Sequence, residues 1–117
     1  MSNRKLFSNC LRRALQEPRQ RCLLVVEGKT ERSISYRNIA DASLAVREAL
    51  IENNIPKGTI IPIVLGHSEW VLTSFIGCVL HGCCPTLLPP LTSKQDPVIF
   101  HSSFEKLLHR LEASLII

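Results

Sequence analysis

The apolar positions of this chain change period along its length, and the densest of them mark its centre. Trp70, Val71, Leu72, Phe75, Ile76, Val79 and Leu80 lie nearly all round a helical cylinder, with the small Gly77 and Cys78 between them. A helix apolar on so many sides is expected to be covered on more than one face. Ser68 stands where a side chain caps a helix, and Glu69 sits beside the positive end of its dipole. Gly82 suits the left-handed residue that follows a helix. Cys83–Leu88 reads as a short buried strand, which Pro89-Pro90 cannot continue. The other segments are expected to pack around this unit of helix, stop and strand.

Upstream, Phe7, Cys10, Leu11, Ala14 and Leu15 recur at spacings of three and four, so Ser2–Gln16 predicts a first helix with Pro18 just past its end. The run Cys22–Glu27 predicts a strand, Gly28-Lys29-Thr30 a turn, and Ser33–Tyr36 the partner strand of a hairpin. Ser35 can cap a helix running to about Asn53, with Ile39, Ala42, Val46, Ala49 and Leu50 as its buried face. Asn53-Asn54 then tolerates a left-handed stop. Thr59–Leu65 is a strand by composition; Pro62 removes a ladder donor, which predicts an edge position or a bulge.

After a loop at Leu91–Pro97, the last helix is predicted to start at Ser102 or Ser103, where Ser102 and Glu105 fit a capping box. Its stripe is Phe104, Leu107, Leu108 and Leu111. Leu115-Ile116-Ile117 resembles the first residues of another strand, so residues 1–117 read as a single partial domain, cut short. Alternation of helices and strands predicts an α/β fold with a mixed or parallel sheet flanked by helices.

Charge narrows the function classes. The net charge is +4, but residues 1–32 hold Arg4, Lys5, Arg12, Arg13, Arg19, Arg21, Lys29 and Arg32 against three acids, and the remainder is close to neutral. That stretch offers one aromatic residue, Phe7, where a nucleic-acid surface would call for stacking platforms. A solvated face or a domain interface fits it better. Five cysteines, an odd and scattered set with no signal peptide before them, suit free thiols in a reducing, cytoplasmic setting. Residues Trp70 to Ser93 carry no formal charge, yet the helical part ends near Leu80, about half the roughly 20 residues of a membrane span. No membrane span is expected.

The residue patterns point to no catalytic constellation. The five glycines never cluster, so no phosphate-cradling loop is formed, and Gly28-Lys29-Thr30 reads as a hairpin turn. His81, Cys78, Cys83 and Cys84 could in principle bind zinc, but neighbouring cysteines on a strand point to opposite faces and lack the paired-cluster spacing of such sites. His67-Ser68 and His101-Ser102 place imidazole beside hydroxyl, although each serine already suits a helix cap, and no carboxylate pair suggests acid–base work. No catalytic, cofactor-binding or metal-binding residue is assigned.

The order of several stretches resembles the start of the adenylate-forming superfamily: AMP-forming acyl-CoA synthetases, fatty-acyl-AMP ligases and adenylation domains of nonribosomal peptide synthetases. Ile34-Ser35-Tyr36-Arg37-Asn38-Ile39-Ala40 is similar to its Thr/Ser-Tyr-x-Glu-Leu stretch, with Asn38 in place of the Glu. Ile55-Pro56-Lys57-Gly58-Thr59 resembles Gly-Val-x-x-Gly-Asp, with Asn54 and Thr59 standing in for its first Gly and its Asp. Ser68-Glu69-Trp70 and its helix lead into Val79–Pro89, which is similar to Leu-x-Ala-Gly followed by Pro. Leu15–Pro18 resembles the usual helix-then-Pro entry, and Phe104–Ile117 what precedes the ATP loop.

The resemblance implies an N-terminal fragment of an AMP-forming ligase. In the complete enzyme, ATP and Mg would activate a carboxylic acid and a carrier thiol would take the acyl group. The phosphate loop and catalytic residues would lie beyond Ile117, so this fragment is expected to bind no cofactor and not to be catalytic alone. Its partner would be the remainder of the synthetase or another chain. A small interaction module docking through an exposed sheet edge is the alternative, and a basic nucleic-acid-binding domain a weaker one.

Overall fold

β1 (Cys22–Glu27) and β2 (Thr30–Ser35) form an antiparallel hairpin in which Glu27 faces Thr30 and Cys22 faces Ser35. Gly28, at φ +60°, opens its two-residue turn, a place that favours a left-handed residue. β2 therefore begins three residues before the predicted Ser33 and ends one before Tyr36. The computed structural model describes residues 9, 10, 12, 13, 16, 22–66, 68–113 and 115–117. The predicted helix Ser2–Gln16 falls largely outside them. Its described positions are helical, and Cys10, expected on the apolar stripe, is exposed.

α1 (Tyr36–Glu52) starts where predicted: Ser35 has an extended backbone and its Oγ accepts from the Asn38 N–H at 3.1 Å. It stops at Asn53, with Asn54 left-handed at φ 56°. The buried face is turned from the expected one. Ile39 and Leu50 are buried as read, but Ala40 and Ser43 replace Ala42, Val46 and Ala49, and Ala49 is exposed.

The reason lies in α2 (Glu69–His81), whose Gly77 meets α1 backbone to side chain. A Cβ at Gly77 would stand 2.5 Å from Val46 Cβ and 2.8 Å from the Ser43 carbonyl oxygen. So close a crossing selects small residues on the facing helix, and Ala40 and Ser43 are fully buried. The Ser43 hydroxyl remains satisfied by donating to the Ile39 carbonyl at 2.7 Å.

α2 crosses between β3 (Ile60–Ile63) and β4 (Cys84–Leu87), which pair in parallel with Ile60 opposite Cys84 and Ile63 opposite Leu87. The hairpin and this pair are separate two-stranded sheets, and the pair joined by a helix crossover is parallel, as the alternation of helices and strands predicts. β3 is an edge strand of this two-stranded sheet, the position that Pro62 predicts. Thr59 and Ile63 carbonyls accept from β4, while Pro62 O and Val64 N–H bond Ile117 on the other side at 2.9 and 2.7 Å. Neighbouring residues alternate sides, so the donor that Pro62 lacks falls on the Ile117 side and the β4 ladder loses nothing. β4 is less buried than predicted: Cys84 and Leu87 are exposed.

α3 spans Pro97–Leu111 and begins five residues before Ser102. Asp96 caps it, accepting from the Val98 N–H at 2.9 Å, and Pro97 takes the first helical position, where its missing donor goes unused. Ser102 lies inside the helix, so the capping box is not formed. The apolar core has two parts. Ile39, Ala40, Ile76 and Leu80 join Ile34 and Leu44 between α1, α2 and the hairpin base. Leu50, Ile61, Ile63, Cys78 and Cys83 form the other over β3, with Leu115 and Ile117 packed against it.

Candidate functional site

The two stretches that carry the resemblance most clearly meet at the C-terminal ends of α1 and α2. α2 closes with a left-handed Gly82 at φ +92°, and the Gly82 and Cys83 N–H groups return to the Val79 and Cys78 carbonyls, both at 3.0 Å. The connector 55–59 lies across this stop. Gly58, at φ +86°, donates its N–H to the Gly82 carbonyl at 2.8 Å. His81 Nε2 contacts the Ile55 carbonyl at 2.5 Å, and the Cys83 thiol reaches the Pro56 carbonyl at 3.5 Å. A carbonyl only accepts, so the Nε2 of His81 carries the proton. Thr59, in place of the acid of the resembling stretch, turns its hydroxyl back to the Pro56 carbonyl at 2.6 Å. From the first stretch, Ile39 is buried while Tyr36 and Asn38 are exposed.

These contacts engage His81 and Cys83 in the turn itself. His81 is engaged with backbone, away from any serine. Burial, and then the neighbouring Cys83, pushes the Cys78 thiol up to about 11. Burial also raises Cys83, against a lowering hydrogen bond from the Thr59 backbone. Thiols so held are poor nucleophiles. Cys84, on the opposite face of β4, is exposed. His67 lies outside the described residues, and His101 stands edge-on to Phe100 on α3. Among the described residues no group of three or more His, Cys, Asp or Glu is placed to hold a metal ion, and no helix is long and apolar enough to cross a membrane.

The starts of α1, α2 and α3 each hold a group of this chain. Glu69 opens α2 and the Asp96 carboxylate caps α3, so both of those positive ends already face a negative group. The Ser35 hydroxyl closes α1. Gly28, Gly58 and Gly82 serve three separate turns.

At the other end of α2 and β4 from the stitched turn lie two apolar hollows that share Val71 and Leu87, one reaching Leu88, Pro89 and Pro90 and the other Phe75. Neither is lined by a charged residue. Trp70, expected in the covered surface of α2, is 60% exposed, and Leu72 is open beside it.

Ser68 is extended but its side chain makes no capping bond, contrary to the sequence reading. Glu69 reaches instead to the hairpin, where both carboxylate oxygens accept from the Arg32 guanidinium at 2.6 Å. That hydrogen bond, followed by Glu69's own backbone N–H, holds the carboxyl below the usual carboxylate range. No local pattern announces a pair 37 residues apart, and Arg32 lies just before the predicted strand Ser33–Tyr36.

No protein-family model matches the chain, and no curated protein matches it. Solved structures do. A fatty acid AMP ligase from Legionella pneumophila superposes with a TM-score of 0.79 at 15% identity, over 94% of this chain and 19% of that one. The adenylation domain of a keto acid-selecting NRPS module bound to keto acyl adenylate gives 0.75 at 22% identity, over 93% and 20%. The N-terminal subdomain of Klebsiella oxytoca NpsA gives 0.72 at 18% identity, over 99% and 27%. The chain thus has the fold of a portion of adenylation enzymes, and spans about a fifth of the length of the first of these.

Proposed function

We propose that this chain is scaffold from the N-terminal part of an AMP-forming acid–thiol ligase. The complete enzyme would join a carboxylic acid to AMP from Mg-bound ATP, release pyrophosphate, and pass the acyl group to a carrier thiol with loss of AMP. In the fragment, α1, β3, α2 and β4 build a rigid platform; the ATP loop, acyl pocket and catalytic groups belong to the remainder of the synthetase or to a partner chain in the cytoplasm. One observation carries this reading: a superposition over 94% of the chain at TM-score 0.79 despite 15% identity. The engagement of His81, Cys78 and Cys83 in structural contacts agrees with it.

Two measurements test it. The purified chain, given ATP, Mg and a panel of carboxylic and amino acids, is expected to exchange no labelled pyrophosphate into ATP; measurable exchange would place chemistry in these residues and overturn the scaffold reading. The transcript beyond codon 117 is expected to encode a Ser/Thr/Gly-rich loop. A stop codon at that point would favour the interaction module in its place.

A further inference from the structure

The hairpin is a separate sheet from the parallel pair that anchors the core. A two-stranded hairpin is marginal by itself in water, and Leu24 and Val26 on one of its faces are each 57% exposed. At its base, Ser35 feeds directly into α1 and Ile34 packs on the buried cluster of Ile39 and Leu80. Further out, Arg32 grips Glu69 through two parallel bonds of 2.6 Å. Between hairpin and helices lies a cleft of about 260 Å³, walled by Ser33, Asn38, Trp70 and Thr73 and floored by Ile39 and Ala42.

The geometry points to a releasable clasp: Arg32 on the hairpin and Glu69 at the start of α2 hold the hairpin closed over this cleft, and weakening the pair lets the hairpin swing about its Ser35 base. Three features set its character. The bidentate geometry is the strong form of a charged pair and fixes orientation as well as distance. The Glu69 side chain is 12% exposed, so the carboxylate is shielded, while Arg32 is 51% exposed and open to counter-ions. A pair with one partner in water contributes modestly and is screened by salt. The clasp therefore sits where moderate changes in ionic strength shift it, while the tightly packed α1–α2 crossing does not respond. This inference is independent of the ligase reading.

Trp70, the single tryptophan, lines the cleft beside Glu69 and reports its state. The test combines its emission with amide hydrogen exchange on the full chain. Arg32→Gln is expected to raise exchange of residues 23–34 on the order of two- to fivefold, to leave α1 and α2 amides unchanged, and to red-shift Trp70. Glu69→Gln should do the same. Raising salt to about 1 M should reproduce the effect in the unaltered protein and do nothing further in either variant. Equal hairpin exchange in the unaltered protein and both variants would overturn the clasp. So would insensitivity of the unaltered protein to salt, or a parallel rise in α1 and α2 exchange, which marks general loosening.

Discussion

Helices α2 and α3 are both rich in apolar residues, yet they end in opposite circumstances. α2 buries Thr73, Ser74, Ile76, Gly77, Cys78, Leu80 and His81, a set that includes polar and small residues. α3 carries a stripe of Phe100, Phe104, Leu107, Leu108 and Leu111, with Phe100 and Phe104 stacked at 5.7 Å, and buries none of its residues. Apolar content alone therefore does not decide burial here. Gly77 lets the backbone of α2 press on α1, and that approach covers Ser43 and Ala40, while His81 is buried against the connector at Ile55. α3 has amphipathic spacing and sound caps, which form a helix, but lacks a small-residue contact to bring another described element against it.

This contrast can be broken from either side. Ile61→Ala, in the fully buried β3, should lower stability by about 3 kcal/mol through lost burial and the cavity left behind, measured by urea denaturation. Leu107→Ala on α3 should change it by less than about 0.5 kcal/mol; equal losses at the two sites would erase the distinction. Gly77→Ala should lower stability by about 2 kcal/mol, because the new methyl is opposed by backbone as well as Val46. An unchanged melting temperature would show that the two helices can part without penalty.

Gly82→Val should cost about 1 kcal/mol or more. A Cβ there meets nothing nearer than the flexible Lys57 side chain at 3.5 Å, so the loss comes from the left-handed backbone, and calorimetry of Gly82→Ala should match it closely. The smallest effect belongs to Glu69. Its carboxyl is depressed in the folded chain below its ordinary 4.5, so the unfolded state takes up the proton first. The contribution is present above 4.5 and lost as pH falls through the folded value. Between about pH 6 and pH 3 the melting temperature should fall slightly more for the unaltered chain than for Glu69→Gln.

Much of the fold was legible because its signals are local. Ser35 caps α1 through Asn38, Gly82 stops α2, and Pro89-Pro90 follows β4, each at or within two residues of its predicted place. The misreadings have physical causes. Ser102 and Glu105 show the spacing of a capping box inside a helix that Asp96-Pro97 had already started, and no local rule chooses between two valid starts. The face of α1 was turned because the spacing of its aliphatics ignores how near Gly77 lets α2 come. β4 was read as buried from composition, yet burial depends on neighbours as well as residue type. At the candidate site, Gly58 and Gly82 were recognised as turn residues, whereas their mutual hydrogen bond and the Arg32–Glu69 pair join distant positions that a linear pattern does not connect.

The connector 55–59 is bound to the end of α2 at three successive points, through Ile55, Pro56 and Gly58, and Thr59 then accepts from Cys84 to start the parallel ladder. It acts as a gauge block of fixed length. One residue more or fewer would throw all these attachments out of phase and slide β3 against β4, turning core side chains outward. Related chains that differ in length should carry the difference between β4 and α3, where the bonds of residues 89–95 among the described residues are the local ones between Thr92 and Gln95, and keep this five-residue spacer intact.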